Sequence, residues 1–250
     1  MGLALTLVSA LALPTAMATT TVNLGTASGF ALLAGSGITV AGAVKSTTIT
    51  GDIGSFATTS ITGFGNVALT GTNHEGDPVT QGAKLDLVTA YNDAAGRAYD
   101  VTYSDGHVLA GTLNPGVYNG SGQLFLSGTL TLDALGDPSA VWIFQAASTL
   151  ISTSSSSIVL TNGAQASNIF WQVGSSATLG TSTNFSGTIL ALTSITLDTS
   201  ATINGRALAR NGAVTLDYNT ITVPEPGSTM LLSAGMVTLM AFRRRSVARA

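Results

Sequence analysis

A chain of 250 residues, 45% of them apolar, can bury one sizeable core. Only 8% of it is charged, against about a quarter in ordinary domains, which excludes a charge-driven disordered segment. From Thr19 to Thr222 the basic residues Lys45, Lys84, Arg97, Arg206 and Arg210 face 11 acidic ones, a net charge of −6 that excludes nucleic acid as a partner.

The 37 threonines and 29 glycines favour strands and turns, and with no cysteine an exported form has to be stable without disulfides. Residues 1–18, MGLALTLVSALALPTAMA, form an apolar run closing on small residues at Ala16 and Ala18, the pattern of a secretory signal peptide. The main domain is therefore expected over 19–222. Early in it, TTSIT at Thr58 to Thr62 suits one rung of a sheet face.

One stretch breaks the strand pattern. In DPVTQGAKLDLVTAYNDAAGRAYD, Asp77 can cap a helix and Pro78 can take its first position. Ala83, Leu87, Ala90, Tyr91, Ala94 and Ala98 then share one face at the helical period. A helix over about 78–99 would be roughly 33 Å long, comparable with six or seven strands stacked about 4.8 Å apart. It would cover one apolar flank of such a stack.

Beyond it, four short blocks resemble one another: AASTLISTS around Leu150, SSATLGTS around Leu179, TSATINGR around Ile203 and DYNTITV around Ile221. Their intervals of 29, 24 and 18 residues have the length of one solenoid coil. Alternation points Leu150, Leu179, Ile203 and Ile221 inward and leaves Thr149, Thr178, Thr202 and Thr220 outside. In SITLD and AVTLD the same rule leaves Thr196 and Thr215 outside, and SGTLTLD at Ser127 to Asp133 adds Thr131. Few two-residue Asn-Gly turns separate the runs, which favours coils over hairpins, with Asn162-Gly163, Asn204-Gly205 and Asn211-Gly212 as corners. A β-sandwich stays open on periodicity alone. The serine run Ser154 to Ser157 suits a corner as well as a face.

From Val223, VPEP precedes about 16 mostly apolar residues, near the lower length for a membrane segment, and then come Arg243, Arg244, Arg245 and Arg249. The succession of Pro224, Glu225 and Pro226, an apolar helix and an arginine-rich end over 223–250 resembles the PEP-CTERM sorting signal of Gram-negative bacteria. The resemblance implies an exosortase-type processing enzyme as partner and transient membrane association through the tail. It also implies a destination outside the cell, secreted or held at the surface or matrix.

Across the main domain, GFALLAGSGITVAG, GDIGSFATTSITGF, TAYNDAAGRA, LNPGVY, AVWIFQAASTL, NGAQASNIFWQVGSSATLG, FSGTILALTSITL and INGRALARNGAVTLD run in order from Gly29 to Asp217. Together these blocks resemble the microbial ice-binding protein family, the DUF3494-type domain. The resemblance implies a mainly β fold: a discontinuous right-handed parallel β-solenoid of triangular section with one long α-helix packed alongside. It further implies a monomer whose ligand is the ice crystal surface, adsorbed through a broad Thr- and Ser-rich face.

Ice is neutral and made only of hydrogen-bonding sites, so a charged face would lose hydration without gaining a counterion. Threonine presents a methyl and a hydroxyl from a side chain restricted at χ1, and a flat row of them can hold an ordered water layer. The first candidate column is Thr149, Thr178, Thr202 and Thr220, with Ser176 and Ser200 two positions earlier. The second contains Thr131, Thr196 and Thr215, with Val159 at the corresponding place. A third, with Thr188 and Arg206, is disfavoured by its charge.

Catalysis is not expected, nor a metal or cofactor: no nucleophile elbow, phosphate loop or metal-spaced cluster is present. His74, Glu75 and Asp77 read as a loop and cap, and Trp142 and Trp171 as core. The competing function is a surface adhesin or matrix protein binding glycans or cells, also without catalysis.

Overall fold

The computed structural model describes residues 19–224. The expected signal peptide and, in the tail, Glu225, Pro226 and the arginines lie outside the described residues.

Every strand pairing is parallel, which replaces the sandwich alternative with stacked coils. Each coil has three sides. The stack follows the chain over 101–113, 116–133, 142–161, 169–184, 188–204 and 206–222, then continues with 30–50 and 52–70. The N-terminal coils therefore sit on the C-terminal one: Leu32 lies opposite Ala207, Thr39 opposite Thr215 and Thr48 opposite Thr220. This is the discontinuity that the family resemblance implies, produced by a helix that carries the chain from one end of the stack to the other.

The helix spans Pro78–Gly96, with the Asp77 carboxylate accepting from the Thr80 N–H and Pro78 in the first turn, as expected. It ends three residues before the expected limit. Arg97 is extended, and Ala98 is exposed instead of sharing the buried face. Ala83, Leu87, Ala90, Tyr91 and Ala94 do share it, joined by Thr80 and by Lys84. That face packs on strands buried on both sides, such as Trp142–Ala146, Ile169–Val173 and Phe30–Ala34. Their alternate residues serve two cores: Phe144, Trp171, Ile189 and Ala207 point into the coil, while Ile143, Leu190, Leu208 and Leu33 face the helix and the N-terminal segment. Each fully buried aliphatic or aromatic side chain contributes about 1.5–3 kcal/mol relative to exposure, and this double use explains runs such as VWIF that do not alternate in polarity.

The corner that leads into the helix-covered side is built by glycine. Gly187 and Gly205 stack in register with φ of 109° and 154°. A Cβ on Gly205 would be driven into the Gly187 carbonyl. Gly205→Ala is accordingly expected to cost about 1–3 kcal/mol through strain, read by circular dichroism as a melting temperature lower by roughly 2–10 °C. Melting at the parent temperature would contradict this account of the corner.

Candidate functional site

The side that follows the helix-covered one in each coil carries an unbroken outward ladder. Val108, Phe125, Ile151, Thr178, Thr196, Thr215, Thr39 and Thr62 succeed one another as direct register partners. Eight rungs about 4.8 Å apart make a row roughly 34 Å long. Its strands keep alternation, with Ile195 and Leu197, Val214 and Leu216, and Ile38 and Val40 buried beneath the threonines. The row contains no charged side chain. Its five threonine hydroxyls make no hydrogen bond to another described residue. The acidic residues nearest it, Asp198 and Asp217, stand at the strand ends, where Asp217 accepts from the Thr199 hydroxyl and is held away from the centre.

The third side also bears threonine, in two columns. Thr129, Ser157, Asn184, Thr202, Thr220, Thr48 and Ala68 form one. The other runs through Thr112, Thr131 and Val159, then separately through Ser186, Asn204, Thr222, Thr50 and Thr70. It is interrupted between them, because the strand Ser157–Thr161 pairs the next coil only at Ser157 and Asn184. Part of its hydroxyl capacity is used internally: Thr202 donates to Asn184 Oδ1 at 2.8 Å, and Thr129 and Ser157 lie 3.2 Å apart.

These registers divide the columns expected from the blocks. Thr178 belongs to the second side with Thr196 and Thr215, whereas Thr202 and Thr220 belong to the third with Thr131. Thr149 precedes the strand Leu150–Ser152, and Leu150 lies opposite Ala177, so Thr149 falls level with Ser176 at the corner. Overlaying STL on ATL shifts the match by two residues. Ser200 occupies a left-handed turn with φ of 63°, between the second and third sides. Thr188 and Arg206 do pair, but on the covered side, where both are buried. Ser155 turns the corner in the serine run and Ser157 starts the third side. Thr62 joins the second side, and Thr39 was missed: GITVA alternates correctly, but nothing local ties it to a coil formed 170 residues later.

The helix is fastened by polar groups as well as by packing. Gln145, 3% exposed, donates to the carbonyls of Ala94 at 2.9 Å and Arg97 at 2.8 Å, which the helix end leaves unpaired. Gln172 donates to the Tyr91 hydroxyl at 2.8 Å. Lys84 donates to the Ala209 carbonyl at 2.7 Å, and its burial, with Arg210 nearby, pushes its pKa down to about 8.

His74 lies 2.9 Å from Asp77, the helix cap, and His107 stacks on Tyr103 with ring centres 3.8 Å apart. Trp142 and Trp171 are core residues whose indole N–H groups donate to the Leu113 and Ser186 carbonyls. Among the described residues no cluster of three or more His, Cys, Asp or Glu could hold a metal ion.

Fold and ladder together define a class: parallel three-sided solenoids, braced by one helix, that present a long, flat, uncharged face of hydroxyls and methyls. Residues 32–222 match the ice-binding-like family, and the chain belongs to it. Residues 222–245 match the PEP-CTERM protein-sorting motif. An ice-binding protein of Nostoc sp. (strain HG1) is 48% identical over 240 residues, covering 89% of this chain and 87% of the relative. The crystal structure of an ice-binding protein from an Antarctic biological consortium superposes with a TM-score of 0.79 at 49% identity, covering 86% of this chain and 97% of that one. That of the ice-binding protein from the Antarctic ascomycete Antarctomyces psychrotrophicus gives 0.79 at 45% identity, covering 83% and 100%.

Proposed function

We propose that this chain is an antifreeze protein that adsorbs to ice through the second side of its solenoid, with Thr178, Thr196, Thr215, Thr39 and Thr62 as the hydroxyl-bearing core of the contact. The observation that carries the choice of side is the unbroken eight-rung register. A rigid row at constant spacing orders water before contact, so little freedom is lost when that layer merges with a crystal. Methyl groups and the aliphatic rungs Ile151 and Val108 limit where the water can sit, and the unshared hydroxyls anchor it. Adsorption pins the ice front and stops growth and recrystallisation; no bond is made or broken.

The sorting motif supports a secreted or surface location. In this reading the tail is handled by an exosortase-type enzyme at the envelope of a Gram-negative cell, and the domain acts as a monomer. The strand Thr220–Thr222 ends the third side, so the tail leaves from the corner opposite the second side. A tethered molecule would present its ladder outward.

The purified chain is expected to hold the grain size of a polycrystalline ice film steady during annealing below the melting point. Coarsening at the rate of buffer, with strong signal on a glycan array, would assign the chain to the adhesins instead.

A further inference from the structure

Arg206 stands where the third side turns into the helix-covered side, just after Gly205. It is 5% exposed. Its Nε–H donates to the Ser28 carbonyl at 2.9 Å, and Nη1 reaches the Thr188 hydroxyl at 3.4 Å. A guanidinium has five N–H donors, so much of its capacity is unused. Among the described residues no carboxylate pairs with it. Burial pushes its pKa down to about 10, the mark of a cation without a counter-charge. A buried charge left in that state is costly, and a partner carboxylate relieves the cost.

The group opens on a cleft of about 350 Å³, lined also by Asn23, Ser28, Asn168, Phe170 and Pro224. Pro224 is where the described chain ends, fixed in place by the bond from the Val223 N–H to the Thr50 carbonyl at 3.0 Å. The next residue is Glu225, one peptide unit or about 3.8 Å along the chain. Prolines on both sides of Glu225 restrict its backbone, so little conformational freedom remains to be lost on docking.

We propose that Arg206 is an intramolecular docking site for the Glu225 carboxylate, so that the Pro224-Glu225-Pro226 sorting motif lies folded against the domain in the cleft beside Ser28 and Asn168. The docked motif fixes the angle at which the tail departs and shields the peptide bonds around Glu225. A processing enzyme would have to lift the motif out before acting on it. The assignment does not depend on ice adsorption, and loss of one leaves the other testable.

The test is a double-mutant cycle on the full chain in detergent micelles, followed by thermal unfolding. Glu225→Gln is expected to lower the melting temperature by roughly 2–6 °C in the parent, the scale of one charge-assisted pair in a domain of this size. In an Arg206→Gln background the same change is expected to shift it by less than about 1 °C. Equal shifts in both backgrounds, or none in either, overturn the pairing. Should Arg206→Gln fail to fold, the Arg206 Nε–Hε resonance in ¹⁵N-labelled protein decides: it moves on Glu225→Gln if the groups touch, and an unmoved resonance overturns the proposal. A neutral Glu225→Gln combined with stabilisation by inorganic phosphate would make the cleft a site for a free anion and likewise reject Glu225.

Discussion

Replacing Thr178 and Thr215 together by Tyr is expected to reduce freezing-point hysteresis to less than about a tenth of the parent value, because contact with a flat crystal is the sum of many small pre-ordered interactions. Both residues point outward near the middle of the eight-rung ladder, with Thr196 between them. A tyrosine there stands proud of its neighbours and lifts several rungs away from the crystal. Thr202→Tyr with Thr220→Tyr is the matched control: same residue types, same solenoid, but on the third side. That pair is expected to leave hysteresis and recrystallisation inhibition near the parent level. Circular dichroism should be unchanged in both variants, since none of the four side chains points into the core. The reverse pattern, with loss only on the third side, would move the ice contact to the column of Thr129, Thr202, Thr220 and Thr48.

The second large effect concerns what keeps the ladder flat. Gln145→Leu preserves volume but removes the donors to the Ala94 and Arg97 carbonyls and the acceptor for the Asn119 amide, 3.0 Å away. Leaving such groups buried and unpaired costs about 1–3 kcal/mol each, and part of the helix end can recover by admitting water. A fall in melting temperature of roughly 5–15 °C is expected. Leu85→Gln, on the exposed helix face, should alter it little. A Gln145→Leu variant that melts with the parent would mean that packing alone holds the helix to the solenoid.

Alternation was legible because it is local. Ile195 and Leu197 flank Thr196, and Val214 and Leu216 flank Thr215, so the direction of each side chain follows from strand geometry. The helix start was legible for the same reason, with Asp77 and Pro78 adjacent to the turn they make. Which threonines share a side was not. That depends on how many residues each corner consumes, and similar-looking blocks turn corners differently: Leu150 pairs with Ala177 and not with Leu179. Thr39 and Thr62 reach the ladder only because the helix returns the chain to the other end of the stack, a long-range event with no local signature. Lys84 and Gln145 were hidden for a different reason. Their polar ends are buried by carbonyls at a helix–sheet seam that forms only on folding. The family resemblance supplied the ligand, and the register supplied the choice of side.

The most direct measurement is adsorption of the fluorescently labelled exported chain to a single-crystal ice hemisphere grown slowly in its presence. The parent is expected to coat defined crystal planes and remain frozen in, with the Thr178 and Thr215 double variant leaving the ice dark. A hemisphere that excludes the parent as completely as it excludes a labelled non-binding protein would contradict adsorption itself.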